Sequence, residues 1–138
     1  MTLTSLQKDT IRTILRANGA LIGYVFGSYA RGTAGTLSDL DLGVVFPDSL
    51  SFEIQENQIE RMRYSLEKTY GRDLIDIINI GKIKNPLLRY LIVLGEGILL
   101  YDDNVSIRNQ IAARSLRDFE DTQHLRNIQG VAIRHLFA

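Results

Sequence analysis

Residues 27–44 read GSYARGTAGTLSDLDLGV, and apolar runs press on this stretch from both ends. Leu21 to Phe26 leads into it, short and rich in apolar and aromatic side chains, and predicts a buried strand ending at Gly27 and Ser28. The small residues from Ser28 to Gly35 predict one short helical turn and a loop. Leu40 to Phe46 predicts a second strand, closed by Pro47 and Asp48. Asp39 and Asp41 stand two apart at its start. A strand alternates its side chains with period two, so both carboxylates project from one face. Like charges that close repel, and they tend to share a proton unless a cation lies between them.

Downstream, Phe52 to Tyr70 has helical spacing, with Ile59, Met62 and Leu66 on one side and Gly71 as its stop. Leu74 to Ile80 predicts a third strand with Asp76 inside it, where burying an unpaired carboxylate costs several kcal/mol. Strand, helix and strand make a β-α-β unit, which favours parallel neighbours. The N-terminal ends of those strands then share one edge, and Asp39, Asp41 and Asp76 converge there. An antiparallel return from the first strand brings Gly27 and Ser28 to the same edge. Asn85 and Pro86 open a short helix that Gly95 ends, and Gly97 to Tyr101 predicts a small fourth strand. From about Val105 the chain reads as helix almost to its end, weakest at Gly130. Upstream, Thr4 or Ser5 caps a first helix, with Leu6, Ile11, Ile14 and Leu15 on one face and Gly19 stopping it. This order predicts an α/β (α+β) fold: a small mixed sheet packed against helices, with a long C-terminal helix.

A length of 138 residues predicts one domain over 1–138, its catalytic core at about 20–101 and a helical segment at about 105–136. With 45% hydrophobic and 23% charged residues, the chain is too apolar for disorder. Lys plus Arg and Asp plus Glu are 16 each, so no direct nucleic-acid binding is expected. The absence of cysteine excludes disulfide scaffolds, thiolate zinc sites and cysteine nucleophiles. His124 and His135 alone cannot make a histidine metal cage, whereas an all-oxygen carboxylate set suits Mg²⁺ or Mn²⁺. No apolar run approaches the roughly 18 residues of a membrane span. The opening MTLTSLQKDTIRTIL lacks a signal-peptide pattern, so no membrane and a cytoplasmic location are expected. Gly27 lets backbone approach a ligand closely, and Ser28 sets a hydroxyl beside N–H groups at a helix start, a phosphate cradle. Acids facing such a cradle are the working parts of a phosphoryl or nucleotidyl transfer site.

Gly27, Ser28, ten residues, then Asp39, Leu40 and Asp41 resembles the signature of the DNA polymerase β-like nucleotidyltransferase superfamily. The full string from Gly27 to Val44 is similar to its minimal nucleotidyltransferase branch, the MNT or MntA-like antitoxins. Asp76 in LIDIINI falls where that family places its third metal carboxylate. The stretch from Leu87 to Tyr101, ending GEGILLY, is similar to the family's closing helix and strand, so the likeness spans about Leu21 to Tyr101. The resemblance implies a polymerase β-like nucleotidyltransferase fold that binds Mg·ATP. Asp39 and Asp41 would hold Mg²⁺, two ions in all, and Asp76 would complete the site. Gly27 and Ser28 would hold the triphosphate. Ser38 and Arg31 join them as nucleotide-binding candidates, Arg31 either steadying a phosphate or lying at a partner contact. The implied partner is a HEPN-type ribonuclease toxin, neutralised by AMP placed on a tyrosine. The length agrees: 138 residues leave no second lobe for an acceptor, which another macromolecule is expected to present.

Plainer readings stand beside these. Asp39 and Asp41 alone also fit a solvated turn, Asp76 a buried acid paired to Arg72 or Arg89, and Arg31 a surface salt bridge. Two other functions are compatible with the motif: an antitoxin that neutralises by binding without catalysis, and a small-molecule nucleotidyltransferase. Three intact acids argue against the first, since a site with no metal to bind gains nothing from crowding them. The C-terminal helix fits either core cover or a partner surface using Ile107, Ile111, Leu116 and Phe119.

Overall fold

Thr4, not Ser5, opens the first helix, α1 (Ser5–Ala17). Its hydroxyl accepts from the Gln7 N–H at 3.1 Å while the Gln7 side chain accepts from the Thr4 N–H at 2.8 Å, which satisfies two orphan donors reciprocally. The computed structural model describes residues 2–71 and 74–123. After α1 come β1 (Ile22–Phe26), α2 (Ser28–Arg31), β2 (Leu40–Val45), α3 (Phe52–Tyr70) and β3 (Ile75–Asn79). A short 3₁₀ turn follows, then α4 (Pro86–Tyr90), β4 (Ile98–Asp102) and α5 (Val105–Asp121). Ser51 caps α3, and Asn85 caps α4 with Pro86 in the first turn, where its missing N–H is harmless.

One element departs from expectation. The helix opened by Pro86 is not uniform to Gly95: after Tyr90 it widens into a single π turn over Leu91–Gly95. The last helix is described to Asp121; Gly130, His124 and His135 lie outside the described residues.

The sheet order is β3-β2-β1-β4. β1 is antiparallel to both β2 and β4, whereas β2 and β3 run parallel with α3 as their crossover, as the β-α-β pattern requires. Alternation along β2 sends Leu40, Leu42 and Val44 to one face, where Ile11 and Leu15 of α1 and Ile59, Met62 and Leu66 of α3 cover them. Val45 goes to the other face with Ile22, Tyr24 and Phe26, under Ile92, Val93 and, from α5, Ile107 and Ile111. Asp41 shares that second face. The helices there cover Val45 at one end of the strand and leave the Asp41 end open. Among the described residues no helix is long and apolar enough to cross a membrane.

Candidate active site

Phe26, the last residue of β1, lies opposite Asp41 in the antiparallel register, so the chain must turn away directly over that carboxylate. Gly27 makes the turn with φ 70° and ψ −151°, a region that glycine alone occupies comfortably. A Cβ built there would stand 2.2 Å from Asp41 Oδ2. Backbone and carboxylate are in contact because there is no side chain between them. α2 follows at once, with Ser28 in its first turn and Arg31 in its last.

Asp39 immediately precedes β2 instead of lying within it. A turn holds it there: the Ser38 N–H donates to Gly35 O at 3.2 Å, and Ser38 Oγ accepts from the Gly35 N–H at 2.8 Å. Pairing then begins with the Leu40 N–H donating to Leu74 O at 2.8 Å. In the parallel register Asp41 stands beside Asp76.

Gly27, Ser28, Arg31, Ser38, Asp39 and Asp41 line one open cavity of about 340 Å³, with Phe26, Leu88, Leu91 and Glu96 completing its walls. Six of the seven residues singled out from the sequence thus share a cavity. Asp76 is adjacent to Asp41 but is not among the lining residues. It is exposed, because β3 is an edge strand and the second face is open at that end, so the expected burial cost does not arise. Nor is it paired with Arg89, whose guanidinium donates to Asp118 Oδ2 at 3.0 Å; Arg72 lies outside the described residues. The three acids share an edge, but among the described residues no three acid or imidazole side chains close into a ready-made metal cage.

Repulsion between like charges registers on Asp41. Burial first, then the charges of Asp76 and Asp39, push its pKa up to about 6, and Arg31 pulls partly the other way. Oxygen donors without sulfur or imidazole, straining against one another, suit a hard divalent cation that would relieve the strain.

The sequence reading passed over Glu96 and the apolar wall of Leu88 and Leu91. Glu96 Oε1 accepts from Arg31 Nη1 at 2.9 Å, so Arg31 is a salt-bridged residue and also a wall of the cavity. Glu96 lies in the family-like stretch GEGILLY, but its pairing with Arg31, 65 positions away, had no local signal.

Comparison with known proteins identifies the family and the fold. Residues 9–100 match the family model of the nucleotidyltransferase domain. A Methanocaldococcus jannaschii protein, described as a candidate protein adenylyltransferase, is 33% identical over 82 residues, which is 59% of this chain and 82% of the relative. A chain in a solved toxin–antitoxin complex with AMP-PNP superposes with a TM-score of 0.67 at 22% identity, covering 95% of this chain and 98% of that one. Another, from a complex of tri-AMPylated Shewanella oneidensis HEPN toxin with MNT antitoxin, gives 0.64 at 20% identity, covering 99% and 100%. A glycine turn laid on one of three edge-sharing acids, within a matched region of 92 residues, establishes that the chain belongs to the nucleotidyltransferase-domain family.

Proposed function

We propose that this protein transfers AMP from Mg·ATP to a tyrosine hydroxyl of a partner HEPN-type toxin and thereby neutralises it. The observation that carries the reading is the contact of the Gly27 turn with Asp41, which itself stands beside Asp76. It puts the glycine turn and the acids at one edge, beside the cavity that Gly27, Ser28 and Asp41 line. The candidate adenylyltransferase relative and the two toxin–antitoxin neighbours support the choice of AMP and of a protein acceptor. Zero net charge also favours a protein partner over a long polyanion.

Gly27 and Ser28 cradle the triphosphate with backbone N–H groups and a hydroxyl, and Arg31 offers guanidinium donors from the neighbouring wall. Asp39, Asp41 and Asp76 would hold Mg²⁺, which when bound supplies charge neutralisation at the α-phosphate. The tyrosine oxygen forms a bond to the α-phosphorus as the bond to pyrophosphate breaks. Asp76, exposed beside Asp41, accepts the hydroxyl proton. Leu88 and Leu91 give one wall of the cavity an apolar lining.

The test is to incubate the protein with labelled ATP, Mg²⁺ and the product of the neighbouring gene. Label should appear on that product, and the Asp39→Ala/Asp41→Ala double variant should lose transfer by at least about 100-fold, the usual scale for removing groups that act together. An unlabelled partner, still neutralised by the double variant, means that binding alone does the work.

A further inference from the structure

Of the acids lining the cavity, Asp39 and Asp41 belong to the motif and Glu96 does not. A carboxylate facing the place of a triphosphate is electrostatically unfavourable, so its presence asks for a reason. The backbone supplies part of one. After Tyr90 the helix widens by one residue, and Leu91 O accepts from the N–H groups of both Glu96 (3.0 Å) and Gly97 (3.2 Å). Such π turns are rare and cluster at functional sites. The turn closes only because residue 97 is glycine: a Cβ there would stand 1.7 Å from Ile92 O. This distorted segment carries Leu91 and Glu96 into the cavity wall and sets Glu96 against Arg31.

Arg31 needs such a partner. Its side chain is 39% exposed, and a long side chain left free there samples many rotamers. Glu96 Oε1 occupies Nη1, which leaves the other donors of the planar fork for phosphate oxygens. We infer that Glu96 is a positioning residue for nucleotide binding: through the π turn it orients the Arg31 guanidinium before the phosphates arrive. The inference rests on the AMP-transfer reading and names a part of the same site that the motif does not include. Ordering Arg31 in advance lowers the entropy lost when ATP binds.

The experiment is calorimetric titration of Mg·ATP into the wild type, Glu96→Ala, Glu96→Gln, Arg31→Ala and the Arg31→Ala/Glu96→Ala double variant, with KM and kcat for AMP transfer and thermal midpoints alongside. Glu96→Ala should weaken ATP binding roughly tenfold, the common effect of removing a group that orients a binding residue. KM for ATP should rise by a similar factor, with kcat changed less. Glu96→Gln keeps an acceptor oxygen and should fall between wild type and alanine. In the Arg31→Ala background the second substitution should add nothing, which a merely structural Glu96 would not produce. ATP binding by Glu96→Ala as tight as wild type or tighter, or an equal loss with and without Arg31, overturns the inference and leaves the AMP-transfer reading standing. A wild-type protein that fails to bind Mg·ATP overturns both.

Discussion

Asp41 is the residue on which the site's electrostatics converge. An unfolded aspartate titrates near 3.8, whereas in the folded chain burial and the neighbouring Asp76 and Asp39 raise this one to about 6. Between those values the folded state binds the more protons, so the contribution of Asp41 to stability falls as pH rises from about 4 to about 6. Above that window the whole penalty for keeping it ionised is present; below it the penalty is gone. In a chelating buffer, Asp41→Asn should therefore raise the thermal midpoint at pH 7.5 and bring no gain at pH 4. A gain of equal size at both pH values would show that the charge is not the cause. Gly27 belongs to this scale too, since its missing side chain is what allows the backbone to lie on that carboxylate.

The β2–β3 pair and the π turn show how elements, more than single residues, assemble the cavity. Parallel register aligns Asp41 with Asp76 because the crossover helix α3 returns the chain to the same end of the sheet. A one-residue slip would send either acid to the opposite face, where α1 and α3 form the core. On the far wall, the π turn hangs on Gly97. Gly97→Ala puts a methyl group into Ile92 O, a backbone atom that cannot rotate away. It should destabilise the protein by about 3 kcal/mol, in the upper range for overpacking, as measured by urea denaturation. A loss below about 0.5 kcal/mol, the level of an ordinary surface change, would mean that the turn relaxes freely.

For the molecule as a whole, α5 acts as a brace as well as core cover. Its Phe119 stacks on Tyr90 of α4 with ring centroids 3.8 Å apart, and its Asp118 meets Arg89, which is only 4% exposed. Arg89 also donates to Ile83 O, while its buried Nε has no hydrogen-bond partner among the described residues. Burial pulls the pKa of Arg89 down, nearby Arg114 adds to this, and Asp118 opposes both. Removing one partner of such a pair strands the other's charge. Asp118→Ala should destabilise by about 3 kcal/mol, and replacing Arg89 by Met in the same chain should recover most of the loss, since an apolar pair needs no counter-charge. Failure of the second substitution to recover stability, in denaturant titrations of both variants, would mean that packing and not charge holds α4 to α5. Leu88 and Leu91, which line the cavity, flank the clamped residues, so this brace reaches the candidate site.

Local chemistry determined a great deal in this chain. Periodicity, caps and glycine stops specify the order of elements and all four strands, because each depends on neighbours within a few positions. The spacing from Gly27 and Ser28 to Asp39 and Asp41 likewise marks one sheet edge, since two short strands and a tight connection leave few ways to close. Tertiary structure decided the rest. Asp76 is exposed because β3 is an edge strand, a consequence of sheet order that no local pattern carries. The π turn after Tyr90 is set against Arg31 only through the Glu96 salt bridge, which folding has to close. Arg31 finds Glu96 across 65 residues, and Arg89 finds Asp118 across 29. Each of these depends on which surfaces meet after the sheet has formed, and side chains far apart in the chain exert forces on one another only once folding has brought them together.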